Sequence, residues 1–339
     1  MNRNITMLDG AVGTSLWEKT SNKVPVWRYN IEDPDIVRQL HDEYVEAGAE
    51  IILANTFSAN RPSMHGTDYT VDQIVSRAME LAHESIDGRA KIALAVGPLT
   101  GLLKPFGDIS REDAYDYFDE QIGAGVKGRP DLIFIQTFMD VEMMKIAAAV
   151  ARKHDLPLFC SMSFAKSSPK KGPRTMMGNS VADIVRGLSE FDVEAMGINC
   201  SMGPETALPV IREFSKQTDK PLIFKPNAGK PTLEGGSQFD YNIFASETAR
   251  AAEVEGVKYI GGCCGSNARY IAALKAKLNN HKIQLRFYQR HRRKKLRVQQ
   301  RNNIERRLHL HTGDGCRYNG SSAAESRPGA EEHGVGRNR

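Results

Sequence analysis

A chain of 339 residues, 40% of them hydrophobic, has the length of one large α/β barrel and enough apolar side chains to fill its core. It has no apolar run of about 18 residues, so no membrane-spanning helix is expected. The start, MNRNITMLDG, lacks the apolar segment of a secretory signal. The net charge of +5 is unevenly placed: residues 281–339 hold 15 Lys and Arg against 5 Asp and Glu, leaving 31 against 36 in residues 1–280, so the basic pI is no argument for nucleic-acid binding by the body of the chain.

Taken in chain order, residues 1–280 alternate short apolar runs with longer amphipathic ones. Eight runs read as strands: ITMLDG (5–10), EIILANTF (50–57), IALAVGP (92–98), LIFIQTF (132–138), PLFCSMSF (157–164), AMGINCS (195–201), PLIFKPN (221–227) and YIGGCCG (259–265). Most are apolar on both faces, as buried parallel strands require. Helical patterns lie between them. Asp33-Pro34 is an N-cap followed by Pro at the first helical position. The stripe Ile36, Val37, Leu40, Tyr44 and Val45 follows, and Gly48 ends it. Ser180 and Asp183 have capping-box spacing ahead of Ile184, Val185 and Leu188. A third helix buries Leu208, Ile211 and Phe214.

Eight strands alternating with helices predict a (β/α)8 TIM barrel over residues 1–280. The alternative, an open doubly wound sheet, is disfavoured because DGAVGT after the first strand is not a G-x-G-x-x-G phosphate loop. Residues 281–339 carry no sustained period and read as a disordered basic tail.

The chain has five cysteines. An odd number, at spacings unlike a secreted disulfide scaffold, points to a reducing, cytoplasmic setting. In the barrel, Cys200 stands at the end of the sixth strand and Cys263 and Cys264 at the end of the eighth, so all three thiols face one mouth. Neighbours on a strand point opposite ways. The adjacent pair therefore reaches one ion only if the chain bends, which Gly261, Gly262 and Gly265 permit. Three thiolates with an open position suit catalytic Zn²⁺. Their net charge of about −1 with the ion favours activating a sulfur nucleophile over activating water. A closed zinc site and three core cysteines are the alternatives on spacing alone. Cys160 reads as core and Cys316 as part of the tail. The basic loop AKSSPKKGPRTMMGNS reads as solvated.

The ordered motifs LDGAVGT (8–14), HDEYVEAGAEIILANTFSANR (41–61), GINCSMGP (197–204), KPNAGKP (225–231) and GGCCG (261–265) resemble the homocysteine S-methyltransferase family. They are most similar to the homocysteine-binding module of cobalamin-dependent methionine synthase. The resemblance implies zinc held by Cys200, Cys263 and Cys264, with Asn227 completing the shell when substrate is absent. It implies a substrate site of Asp9, Gly10 and Thr14, with Thr56 and Phe57 along the thiol pocket. Gln136 stands where the family usually has the Glu that holds the substrate ammonium. The implied function is a zinc-dependent S-methyltransferase that makes a thiolate of homocysteine and methylates it to methionine. The methyl donor is a free onium compound or a methyl-corrinoid on a separate protein. A different acceptor thiol and a non-catalytic zinc or thiol-binding barrel are the other readings.

Overall fold

The structure is a computed structural model and describes residues 4–165, 172–200, 202–229 and 239–279. The chain divides into Met1–Ile283 and Gln284–Arg339. The expected tail, Cys316 and residues 166–171 of the basic loop lie outside the described residues.

All eight predicted strands are present: β1 Thr6–Met7, β2 Ile51–Leu53, β3 Lys91–Val96, β4 Leu132–Phe138, β5 Leu158–Met162, β6 Ala195–Asn199, β7 Leu222–Lys225 and β8 Val257–Ile260. They form one sheet in the order β1-β8-β7-β6-β5-β4-β3-β2, and every pairing is parallel. The ring closes between β1 and β2 through the Leu8–Ile51 bridge. Two backbone hydrogen bonds flank it, Glu50 N to Met7 O at 2.8 Å and Asp9 N to Ile51 O at 3.2 Å. This is the expected (β/α)8 barrel.

Alternation along each strand sorts the side chains into two cores. Leu8, Ile51, Leu53, Ala93, Ala95, Leu132, Phe134, Phe159, Ala195, Ile223 and Tyr259 fill the barrel interior. The opposite faces pack against the surrounding helices in a much larger cluster. Both faces are therefore dry, which is why the strands read as near-continuous apolar runs.

The helices follow the predicted stripes with small shifts. Pro34–Glu46 buries Val37, Leu40 and Tyr44, as expected, and also His41. Ile36 and Val45 only lean on the core. Gly48 ends the turn at φ +96°, a conformation open to glycine. Val181–Leu188 has its capping box: Ser180 Oγ accepts from Asp183 N, and Asp183 accepts in return from Ser180 N at 2.9 Å. Pro204–Gln217 buries Leu208, Ile211 and Phe214. A small antiparallel ribbon, Phe164–Ala165 with Arg174–Thr175, follows β5. Residues 268–279 form a final helix.

The eighth strand differs from its predicted bounds. It starts at Val257 and stops at Ile260, so both cysteines lie in the turn beyond it. At Gly262 the backbone passes too close to its neighbours for a side chain. A Cβ on Gly262 would lie 2.3 Å from Ser266 Oγ, and Gly265 adopts φ +80°. The glycines thus permit the bend in two ways, by close approach and by left-handed backbone.

Candidate metal and thiol-binding site

The three thiols meet at the C-terminal mouth of the barrel. Cys200 directly follows β6 in left-handed backbone, φ +63°, with its N–H donated to Lys225 O at 3.0 Å. Cys263 and Cys264 sit in the turn after β8. That turn is pinned by Ser266 Oγ donating to Cys263 O at 2.7 Å and by Gly265 N donating to Thr14 Oγ1 at 3.2 Å. The three Sγ atoms lie within 4.8 Å of one another, and Cys200 and Cys264 are 3.6 Å apart. Two sulfurs bound tetrahedrally at about 2.3 Å from zinc sit roughly 3.8 Å apart, close to the Cys200–Cys264 spacing, so the chemistry and closeness of the donor set suit such an ion. None of the three is in a disulfide, and all are half-buried.

Protonation of the bare cluster is set by crowding. The Cys263 thiol is pushed up to about 12, first by its hydrogen bond with Cys200 and further by burial. Cys264 also stands at about 12. Its hydrogen bond with Cys200 pulls it down, but the contact with Cys263 and burial outweigh that. Three thiolates this close need a cation among them. Asn227, just beyond β7, brings a fourth donor to the same region. Its Oδ1 is buried without a hydrogen-bond partner. The chain on either side is tied to the cysteine turn by Cys263 N to Pro226 O at 2.8 Å and Ala228 N to Cys264 O at 2.9 Å. An orphaned amide oxygen on a segment tied to the cysteine turn suits a metal site.

Below the mouth, the inward-facing positions of the strands turn polar. Asn199, at the end of β6, is fully buried and central to this layer. Its Oδ1 accepts from Thr137 N at 2.9 Å and Ser161 Oγ at 2.7 Å. Its Nδ2 donates to Thr137 Oγ1 at 2.6 Å and to Cys263 Sγ at 3.7 Å. Thr137 has φ +67°, a rare conformation for a β-branched residue, so Asn199 holds a strained segment beside Gln136. Lys225 ends β7 and donates Nζ to Asp9 Oδ1 at 2.6 Å, with both side chains buried. Sequence reasoning passed over Asn199, Ser161 and Lys225. The signal was the two-residue period itself: 195–197–199, 159–161 and 223–225 each run from the apolar interior up to the site.

The expected substrate residues fall into two groups. Gly10, Thr14, Phe57 and Gln136 line a cavity of about 390 Å³ that opens beside Cys200, Cys263 and Cys264, within the size range of small-molecule sites. Gln136 Oε1 is buried and has no partner. Asp9 and Thr56 lie behind the wall. Both Asp9 oxygens are engaged, one by Lys225 and the other by Leu53 N at 2.7 Å. Burial raises the Asp9 carboxyl above its ordinary value, while Lys225 and the Leu53 N–H pull it back. Thr56 Oγ1 donates to Ala95 O at 2.7 Å. Cys160 is a core residue of β5, and burial alone pushes its thiol up.

Solved structures show the same fold. The oxidized form of the homocysteine methyltransferase MmuM from Escherichia coli matches with a TM-score of 0.68 at 21% identity, over 80% of this chain and 96% of that one. Its metallated form matches with 0.67 at 22%, over 81% and 96%. A type I 3-dehydroquinate dehydratase from Clostridium difficile matches with 0.50 at 14%, over 83% and 94%. Among the described residues no helix is long and apolar enough to cross a membrane. The model of the homocysteine S-methyltransferase family spans residues 6–278, from β1 to the helix behind the cysteine turn, and the chain belongs to that family.

Proposed function

We propose that this methyltransferase is metal-dependent and methylates a small thiol carrying a carboxylate, of which homocysteine is the family's namesake, with Zn²⁺ held by Cys200, Cys263 and Cys264. The observation that carries this reading is the convergence of three thiols on the rim of a small, largely apolar cavity. Zinc bound there supplies the Lewis acidity that keeps an incoming thiol deprotonated near neutral pH. Asn227 would complete the donor set when no substrate is bound, its neutral amide oxygen being a weaker ligand than a thiolate. Trp17, Phe57 and Val26 form an apolar wall that excludes water from the sulfur. The N–H groups that open the helix Gly13–Thr20 receive the acid end.

The acceptor sulfur then attacks the methyl carbon in line. The S–C bond forms as the bond from methyl to donor breaks, and its electron pair leaves with the donor. The thiol proton is lost to solvent on binding. With homocysteine the product is methionine. The motif resemblance supports a methyl-corrinoid on a separate protein as donor. The absence of a disulfide among the described cysteines supports a reducing, cytoplasmic compartment.

Metal analysis of the purified full chain should give about one zinc per chain, lost on Cys263→Ser. Incubation with homocysteine and methylcobalamin should yield methionine with the intact protein and not with the variant. Zinc binding without turnover, across corrinoid and onium donors, would mark a binding protein instead.

A further inference from the structure

Building on that function, we infer that the preferred acceptor is a thiol acid without an ammonium group: a short thiol with a carboxylate, bearing a hydroxyl or nothing where an amino acid bears its amine. Among the described residues, no Asp or Glu lines the cavity, and its one charged lining residue is Lys225. The nearest carboxylate of the layer below, Asp9, is fully buried and already bound to Lys225 and Leu53 N. An ammonium placed here would lose its water without gaining a carboxylate, which is costly.

The groups that do face the cavity suit an anion and a neutral donor. The helix Gly13–Thr20 begins in the cavity wall, with Val12, Gly13 and Thr14 lining it. It has no side-chain cap and no acidic residue in its first turn. Its free N–H groups and the positive end of its dipole therefore face the ligand. Gln136 is an independent observation on the opposite requirement. Its side chain is nine-tenths buried and lines the cavity, and its Oε1 has no partner in the protein. An uncharged carbonyl oxygen is matched by a neutral O–H as well as by an N–H, and holds a cation less strongly than a carboxylate does.

The test is equilibrium binding of four thiols to the zinc-loaded full chain by calorimetry: homocysteine, its deamino analogue, its α-hydroxy analogue, and the amine left by removing its carboxyl group. The two acids without ammonium should bind about tenfold tighter than homocysteine, and the amine about tenfold or more weakly. Gln136→Glu should reverse the order, making homocysteine tighter than the deamino acid by about tenfold. Gln136→Met keeps the shape but removes the acceptor, so it should weaken the hydroxy acid and spare the deamino acid. If the unaltered chain binds homocysteine as tightly as both acids or more tightly, the inference is overturned while the methyl-transfer reading stands. If the acids bind in the stated order but methylcobalamin methylates none of them, methyl transfer fails and the pocket assignment survives. If no thiol binds, both fall.

Discussion

Asn199 shows how much of the site hangs on one side chain. It holds Thr137 in left-handed backbone, anchors Ser161 and points its amide N–H at Cys263 Sγ. Groups that hydrogen-bond a metal ligand orient it and tune its basicity. Asn199→Asp keeps the acceptor that Thr137 and Ser161 use, but removes the donor to sulfur and sets a negative charge beside it. Zinc affinity, measured by chelator competition, should fall about 10- to 100-fold. Asn199→Ala should lower both zinc affinity and the melting temperature, because the strain at Thr137, about 1–3 kcal/mol, is then unsupported. His41 offers a second residue-scale test. It is fully buried on Pro34–Glu46, neither ring nitrogen has a partner, and burial lowers its pKa to about 4. The unfolded chain therefore binds a proton that the folded chain refuses between about pH 6.5 and 4. Stability from this residue is intact above about 6.5 and is lost as pH falls toward 4, by about 3 kcal/mol. His41→Leu should flatten the fall in melting temperature between neutral and acid pH.

At the scale of elements, the weakest seam of the barrel lies between β1 and β2, joined by one bridge and two flanking hydrogen bonds. Asp9 reinforces it by accepting Leu53 N and reaching across the interior to Lys225 on β7. Lys225→Met would leave Asp9 buried and uncompensated, at a cost of about 3–5 kcal/mol in urea unfolding. Adding Asp9→Asn should recover part of the loss, since the amide still accepts from Leu53. The strands were legible because their two dry faces leave continuous apolar runs. The thiol cluster was legible because the barrel topology brings the ends of β6 and β8 to one mouth. What escaped were features that local sequence does not carry. Left-handed backbone at Thr137 contradicts the preference of a β-branched residue. His41 sits in an apolar stripe where its polarity argued for the surface. The Asp9–Lys225 pair joins residues 216 apart. Asn199 and Lys225 did continue the two-residue period of the interior, but they read as strand ends rather than as the floor of a site.

For the whole molecule, the family match ends at residue 278, and the compact unit runs to Ile283. We propose that residues 1–280 form the functional barrel. A chain ending at residue 283 should keep the melting temperature, zinc content and thiol binding of the full chain. A loss of any of these would assign residues beyond 283 a part in the site. The chain shares only about a fifth of its residues with MmuM over 80% of its length, yet the ring of strands is the same. A parallel barrel sets its interior by size and alternation rather than by identity.

The reach of Asp9 has a consequence for the order in which the protein comes into being. During synthesis the first strand emerges well before its partner Lys225, and Cys263 and Cys264 emerge later still. Until the seventh and eighth strands arrive, Asp9 has no cation to meet, and its carboxylate keeps its water. Sealing the interior and gathering the thiols are then one late event. A nascent chain that stalls after the sixth strand holds one thiol of the three, Cys200, and the donor set is complete only when the barrel is whole.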